Sequence, residues 1–171
     1  MLWFKNSKSK KSEARENHTE EVKISEIIPG GAIKTAMEAS EKEEAFEELV
    51  DLLVECGGIS DREAALGAIR RREQMGSTGI GDGVAIPHGK DATITELIGA
   101  LGISRNGIEY GGVDGKPVRV VFLLLARTDN PGPHIQALAQ IAQLIQASGF
   151  MDRIQKAADT KEVLEIIRSE E

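Results

Sequence analysis

His88 is the residue in this sequence whose setting best suits nucleophilic chemistry. It stands between Pro87 and Gly89, near the end of a glycine-rich stretch, residues 76–90, in which five of the fifteen residues are glycine. Pro87 restricts the local backbone and Gly89 leaves room beside the ring, so we expect an exposed imidazole that is neutral and nucleophilic near pH 7. Glycine-rich backbone also lets N–H groups approach an anion closely. The residues alone leave open the alternative of an idle surface histidine.

Two further residues are candidates for an anion site beside His88. His134 follows Pro131-Gly132-Pro133 at the start of a predicted helix, where unpaired backbone N–H groups and the helix dipole favour an anion. Arg72 ends a run of three arginines, residues 70–72, and at about 100° per residue it falls nearest the buried face of its predicted helix. The alternatives are a histidine that faces water and arginines that only favour a helix C-terminus. For the other two arginines of the run we expect the latter.

The glycine-rich stretch approaches two nucleotide-binding motifs and satisfies neither. A P-loop requires G-x4-G-K-[ST], but five residues separate Gly83 from Gly89, and Asp91 follows Lys90. The dinucleotide fingerprint G-x-G-x-x-G fails because residues 79–83 read GIGDG, which has the wrong last spacing. We therefore expect no bound nucleotide.

A metal site and a serine-based triad are also not indicated. A zinc site would require His88, His134 and Cys56 to converge without any short ligand spacing. No Ser-His-Asp motif or nucleophile elbow is present. Cys56 falls on the apolar stripe of a predicted helix, after Leu49 and Leu53, and is expected to be a small buried hydrophobe. The sequence thus predicts no metal and no other cofactor.

The elements around these residues predict an α/β fold, in which a mixed β-sheet is flanked by helices on both faces as an α/β/α sandwich. Apolar residues recur at helical spacing after the capping boxes Ser40–Glu43 and Ser60–Glu63, and again after Asp159. A further helix after Pro133 carries Ile135, Leu138, Ile141 and Ile145 on one face. Strands are predicted at Val84–Ile86, 95–104 and 118–126, and the last is apolar on both faces, as in an interior strand.

Composition limits the class of protein. The chain has 171 residues, 40% hydrophobic and 29% charged, with a net charge of −7, which suits one globular domain and argues against a basic nucleic-acid-binding face. Its one cysteine cannot form an internal disulfide and suits a reducing compartment, so we expect a cytoplasmic protein. No apolar run reaches roughly 18 residues, so no integral membrane span is expected. Channels, disulfide scaffolds and Cys₄ zinc modules are excluded.

The N-terminus differs from the rest of the chain. Residues 1–20 hold five lysines and arginines against three glutamates, and the run is too polar for a signal peptide. We expect residues 1–22 to form a disordered basic extension and residues 23–171 to form the folded domain. Weak contact of Trp3, Phe4 and the lysines with an anionic membrane surface is the alternative.

Two segments resemble a known family. Residues 75–90 read MGSTGIGDGVAIPHGK after the pair Arg72-Glu73, and residues 134–142 read HIQALAQIA. Together they resemble the enzyme IIA domain, type 2, of the bacterial phosphoenolpyruvate-dependent sugar phosphotransferase system, which includes fructose, mannitol and nitrogen-regulatory members. The resemblance covers about residues 24–168. It implies a mixed sheet sandwiched by helices, in agreement with the pattern.

The resemblance also implies roles for individual residues and partners. It implies that His88 carries a phosphoryl group on Nε2, that Arg72 and His134 line the phosphoryl site, and that Thr78 and Gly89 support the loop. The histidine-containing phosphocarrier protein would donate the group, and a cysteine of a IIB domain would accept it.

Two points of the resemblance remain open. In the nitrogen-regulatory branch the phosphorylation state instead selects regulatory protein partners. The segment GSTGIG resembles that branch slightly more than the sugar-specific members. Asp82, where several members have asparagine, is expected to add a negative charge near the phosphoryl group.

Overall fold

The computed structural model describes residues 21–171. The helices in that part of the chain are α1 (Ile24–Ile27), α2 (Lys42–Glu55), α3 (Arg62–Glu73), α4 (Pro131–Gln146), α5 (Phe150–Lys156) and α6 (Thr160–Glu170), with a 3-10 turn at Gly30–Ala32. The strands are β1 (Ile33–Lys34), β2 (Gly79–Gly81), β3 (Val84–Ala85), β4 (His88–Lys90), β5 (Ile98–Ile108) and β6 (Val118–Ala126). The predicted extension, residues 1–22 with Trp3 and Phe4, lies almost wholly outside the described residues.

The strands form one mixed sheet, as predicted. Its order is β1-β5-β6-β3-β2, and β4 pairs with β6 beyond the end of β3. The long pair β5 and β6 is antiparallel, whereas β3 and β4 both run parallel to β6. Since β3 and β4 align along the same strand, His88 lies opposite Leu124 and is held at a defined register.

Strand β6 forms the centre of the molecule because both of its faces are apolar. Val121, Leu123 and Leu125 pack into one core with α2 and α3. Residues of opposite parity, Val120 and Phe122 among them, pack into a second core with α1 and α4–α6. The prediction of an interior strand covered on both sides, and of an α/β/α sandwich, is therefore confirmed.

The three predicted helix starts are present, but in two of them the N-cap lies one residue later than predicted. The N-cap of α2 is Glu41, whose capping box pairs it with Glu44, rather than Ser40 with Glu43. Asp61 caps α3 by accepting a hydrogen bond from the Ala64 N–H (2.9 Å), in place of Ser60. Asp159 caps α6 as predicted, accepting from the Glu162 N–H. An acidic side chain next to each serine offers a carboxylate acceptor, so a sequence pattern alone does not separate the two registers.

Three other expectations are corrected. Cys56 is exposed, because α2 ends at Glu55 and the apolar stripe does not extend past the helix. In α4 the buried residues include His134 and Ala137, and Ile135 is 62% exposed. Strand β5 runs four residues beyond the predicted end, through a polar bulge that conceals it in the sequence.

None of the helices formed by residues 21–171 combines the length and the apolar character that crossing a membrane requires.

Candidate active site

The structure brings the three predicted site residues, His88, Arg72 and His134, into one cleft of about 470 Å³. The cleft opens between the C-terminal end of α3, strand β4 and the start of α4. It is lined by Ala68, Arg71, Arg72, Met75, His88, Gly89, Lys90, His134, Ile135 and Leu138. A larger cleft of about 660 Å³ near Glu21 and Pro133 contains no histidine or cysteine, and we find no comparable chemistry there.

Gly89 holds His88 in the cleft by allowing β4 to approach α3. A Cβ atom on Gly89 would lie 2.6 Å from the Ala68 carbonyl carbon and 2.8 Å from the Ile69 nitrogen, both of which are backbone. From the sequence, Gly89 is expected to leave space beside the ring. The structure shows instead that its missing side chain lets strand and helix backbones touch.

The His88 ring is fixed by its own backbone. Nδ1 lies 2.8 Å from the Ile86 carbonyl oxygen, two residues before it. A carbonyl oxygen only accepts, so Nδ1 carries the proton and donates, and Nε2 keeps an unshared electron pair. Burial lowers the pKa of His88, with the nearby Arg72 charge acting in the same direction and the Ile86 hydrogen bond opposing it. The ring is half-buried rather than exposed as expected, and it is neutral at pH 7.

His134 faces His88 inside the fold. The ring centroids are 5.2 Å apart at an interplanar angle of 50°, and His134 is only 3% exposed, so it does not face water. Its Nδ1 is buried without a hydrogen-bond partner among the described residues. Burial lowers the pKa of His134 to about 4, and the nearby Lys90 charge and protonation of the neighbouring His88 act in the same direction. His134 is therefore a neutral ring that keeps an unused polar atom beside the cleft.

The cleft is cationic within an acidic protein. Arg72 donates from Nη1 to the Gly76 carbonyl (3.0 Å), and it shares the cleft with Arg71 and Lys90. None of the described residues that line the cleft is acidic, so the site favours an anion. Arg71 and Lys90 were missed at the sequence level. For Lys90 a signal existed, because residues two apart on a strand share a face and Lys90 is two after His88.

Thr78 lies outside the cleft, where two unpredicted residues hydrogen-bond to its hydroxyl. Its hydroxyl lies 2.5 Å from Glu73 Oε2 and 2.6 Å from the Tyr110 hydroxyl. Arg70, by contrast, donates to Glu43 and does not reach the cleft, as expected. The motif pair Arg72-Glu73 was the only sequence signal for Glu73, and nothing in the sequence indicated Tyr110.

Asp82 does not line the cleft. It forms the turn between β2 and β3, where its φ is +55°, a conformation that asparagine and aspartate adopt more readily than most residues. Its N–H donates to Asp114 Oδ2 (3.1 Å). The expectation that Asp82 adds a negative charge near the candidate site is therefore wrong, and the residue instead forms the turn.

Among residues 21–171, no group of three or more His, Cys, Asp and Glu side chains is placed to hold a metal ion.

Fold and site together define an α/β sandwich whose cleft combines two neutral imidazoles with three cations. A family model described as "Phosphoenolpyruvate-dependent sugar phosphotransferase system, EIIA 2" matches residues 26–170. The chain belongs to this family.

Curated relatives include both sugar-specific and nitrogen-regulatory proteins. The chain is 34% identical to the "PTS system fructose-specific EIIABC component" of Bacillus subtilis over 85% of its own length, but it spans only 23% of that protein. It is 31% identical to the "Nitrogen regulatory protein" of Bradyrhizobium diazoefficiens over 84% of its length, and there it spans 94% of the relative.

Solved structures share the fold. The crystal structure of nitrogen regulatory protein IIA-Ntr from Neisseria meningitidis matches with a TM-score of 0.74 and 32% identity, covering 84% of this chain and 98% of that one. Enzyme IIAMTL of Escherichia coli, solved in complex with phosphorylated enzyme IIBMTL, matches with a TM-score of 0.70 and 22% identity, covering 82% and 96%.

Proposed function

We propose that this protein is a phosphoryl carrier of the sugar phosphotransferase system. His88 accepts a phosphoryl group on Nε2 from the histidine-containing phosphocarrier protein and passes it to a cysteine of a IIB domain. The observation that carries the proposal is the hydrogen bond between His88 Nδ1 and the Ile86 carbonyl, which leaves Nε2 as the free nucleophile of a neutral ring.

Transfer consists of two in-line displacements at phosphorus. In the first, the Nε2 electron pair forms the new N–P bond while the bond from the donor nitrogen to phosphorus breaks and that nitrogen keeps the pair. In the second, a thiolate forms an S–P bond and Nε2 recovers its pair. Since the donor is already a phosphohistidine, neither step requires a nucleotide or an added metal ion.

The cleft supplies positioning and positive charge. Charge spreads over three phosphoryl oxygens during each displacement, so cations and N–H donors aimed at them give most of the assistance. Arg72 offers a permanently charged guanidinium, and neutral His134 offers one N–H donor. Arg71 and Lys90 add charge at the rim of the same cleft.

A second candidate function comes from the nitrogen-regulatory relatives. The chain is 31% identical to one nitrogen regulatory protein and 32% identical to the IIA-Ntr structure. In this alternative the phosphorylated state of His88 selects regulatory protein partners, since the group adds about two negative charges to the cleft. The solved complex between enzyme IIAMTL and phosphorylated enzyme IIBMTL supports the transport alternative.

The expectation of a cytoplasmic location belongs to this proposal. It rests on the one cysteine of the sequence, which is exposed at Cys56 and suits a reducing compartment.

Phosphoryl uptake from a labelled, phosphorylated carrier protein tests the proposal. We expect wild-type protein to take up acid-labile, base-stable label, His88→Ala to take up none, and His134→Ala to be slower by roughly 100- to 1,000-fold. Arg70→Ala, on the same helix as Arg72 but outside the cleft, is the control and keeps the wild-type rate. Wild-type uptake by His88→Ala contradicts the assignment.

A second experiment distinguishes the two candidate functions. Labelled protein is incubated with IIB domains and, in parallel, used to capture partners in its phosphorylated and unphosphorylated forms. Transfer of label to a IIB cysteine supports the transport function. Capture that depends on the phosphorylated state, without transfer, supports the regulatory one.

A further inference from the structure

A buried carboxylate behind the cleft is the least exposed acidic group near His88 and has no role in the proposed transfer. The Glu73 side chain is only 7% exposed, although glutamate is rarely buried without partners. It lies at the C-terminal end of α3, next to Arg72 in sequence, but does not line the cleft. Its nearest cation is Lys42, whose Nζ is 3.6 Å away.

Both oxygens of Glu73 bind one residue of the glycine-rich loop. The Thr78 N–H donates to Oε1 (3.1 Å) and Oε2 (3.2 Å), and the Thr78 hydroxyl lies 2.5 Å from Oε2. A carboxylate only accepts, so the Thr78 hydroxyl donates to Glu73 and the Tyr110 hydroxyl donates to Thr78. The loop is thus anchored to the end of α3 by charge-assisted hydrogen bonds.

The anchored loop in turn holds the segment that fixes the His88 ring. The Thr78 carbonyl accepts the Ile86 N–H (2.9 Å), and the Ile86 carbonyl accepts Nδ1–H of His88 (2.8 Å). Every donor in this series lies on the His88 side of its acceptor, so the hydrogen bonds point from the imidazole towards the carboxylate. The N–H and C=O of Ile86 belong to consecutive peptide groups, so the series acts by holding the Ile86 backbone in place.

Tight packing around Gly79 holds Thr78 in this series of hydrogen bonds. A Cβ on Gly79, the residue after Thr78, would lie 2.7 Å from the Gly112 Cα and 3.0 Å from the Tyr110 ring. The loop therefore rests directly on the segment that carries Tyr110, and Thr78 has little freedom to find another partner.

We propose that Glu73 is a positioning residue for His88, an inference that rests on the proposed function for its catalytic meaning. Through Thr78 and Ile86, the carboxylate holds the Ile86 carbonyl where it fixes His88 in the Nδ1–H tautomer, which leaves Nε2 free in the cleft. Glu73 touches neither the phosphoryl group nor the reacting nitrogen. Its effect depends on the reach of its side chain, and an acceptor oxygen held at the same place is sufficient without the charge.

Two substitutions of Glu73 distinguish the effect of its side-chain length from the effect of its charge. Glu73→Asp keeps the charge but withdraws the carboxylate oxygens by one methylene. The carboxylate can then no longer bind the Thr78 N–H and the Thr78 hydroxyl at the same time. Glu73→Gln keeps the reach and one acceptor oxygen but removes the charge. Glu63→Asp is the matched control, because Glu63 lies on the same helix, is exposed and, among residues 21–171, hydrogen-bonds and ion-pairs with Arg62 alone.

The tautomer is read from the side-chain nitrogen-15 shifts of His88 in the unphosphorylated protein above pH 7.5. We expect wild type, Glu63→Asp and Glu73→Gln to show mainly the Nδ1–H form, and Glu73→Asp to show a mixture of both tautomers. Phosphoryl uptake by Glu73→Asp should fall roughly 10- to 100-fold, as for a misplaced reacting group. A wild-type tautomer ratio in Glu73→Asp overturns the proposal, as does an equal shift in Glu63→Asp.

The tautomer measurement also distinguishes this proposal from the proposed function. It requires no phosphoryl donor, so a shifted tautomer in Glu73→Asp supports the positioning role whether or not His88 takes up label. Failure of wild-type protein to accept label contradicts the carrier function and leaves the tautomer result intact.

Discussion

His88 and His134 share a cleft in which burial keeps both imidazoles neutral. For His88 neutrality preserves the electron pair on Nε2 that a phosphoryl acceptor requires. For His134 neutrality leaves one N–H donor beside the reacting group without adding charge to the ring. The positive charge of the cleft comes instead from Arg71, Arg72 and Lys90.

The lowered pKa of His134 predicts a pH dependence of stability. Between pH 6.5, the ordinary pKa, and about 4, its value in the fold, the unfolded chain binds a proton that the folded protein does not. The free energy of unfolding therefore decreases as pH falls through this window, and the full stability is present above it. We expect the contribution of His134 to be at most about 3 kcal/mol.

Denaturant unfolding at several pH values measures this contribution. In His134→Gln, which does not titrate, the loss of stability between pH 6.5 and 4 should be smaller than in wild type. Carboxylates elsewhere contribute equally to both proteins, so the difference between the curves reports His134 together with its coupling to His88. Identical slopes in the two proteins would show that His134 is not a buried neutral ring.

At the scale of elements, the site depends on the contact between β4 and α3. Strand β4 pairs with β6 on one side and touches α3 with its backbone at Gly89 on the other. Helix α3 carries Arg72 and Glu73 at its end, so this one contact sets the position of His88 relative to both residues.

Gly89→Ala should separate the strand from the helix. The added methyl group would meet backbone atoms of Ala68 and Ile69 that cannot turn aside, and overpacking of this kind costs about 1–3 kcal/mol. We expect a lower free energy of unfolding together with slower phosphoryl uptake. Gly30→Ala is the control, because its added methyl group would meet only the Leu164 Cδ1 atom at an ordinary contact distance of 3.9 Å, and its stability and uptake should be unchanged. Equal stability of the two variants would contradict the backbone contact.

At the scale of elements, sequence patterns predict that a helix begins but do not identify its N-cap residue. The sequence correctly predicted helices near Ser40, Ser60 and Asp159, but in the first two the cap lies one residue later. Serine and its acidic neighbour both suit an N-cap, and the choice depends on how the preceding chain enters the helix. That entry is set by tertiary packing.

At the scale of the whole molecule, β6 joins two cores, and β3 and β5 also contribute buried residues to both. Its odd and even residues pack against different sets of helices, so the two layers of helices stabilise each other through this strand. The cleft lies between the layers, with Arg72 supplied by α3 from one side and His134 by α4 from the other.

Phe122→Ala tests how far stability depends on this strand. Phe122 is fully buried in the core with α4–α6, and truncation of such a side chain costs about 3–5 kcal/mol. We expect a large drop in the midpoint of thermal unfolding. Arg119→Ala, at an exposed position of the same strand, should cost less than about 1 kcal/mol. Similar losses in both variants would contradict the central place of β6.

Net charge shows why composition reveals little about the cleft. The chain carries −7 overall, yet its cleft is lined by three cations and no described acidic residue. Acidic residues occur on other faces, including the cluster of Glu44, Glu47 and Glu48 on α2. A sum over the sequence cannot report where the charges are placed.

Local patterns in the sequence determined the α/β class, the interior strand at 118–126 and the candidates His88, Arg72 and His134, because periodicity and motif spacing depend on near neighbours in the chain. The tertiary structure decided the contacts, burial and charge state of those residues. It brings the two rings within 5.2 Å, half-buries His88, keeps His134 neutral and places Glu73 against the loop. These properties arise from burial and from hydrogen bonds between residues distant in sequence. Such contacts form only when β4, α3 and α4 pack together around the sheet.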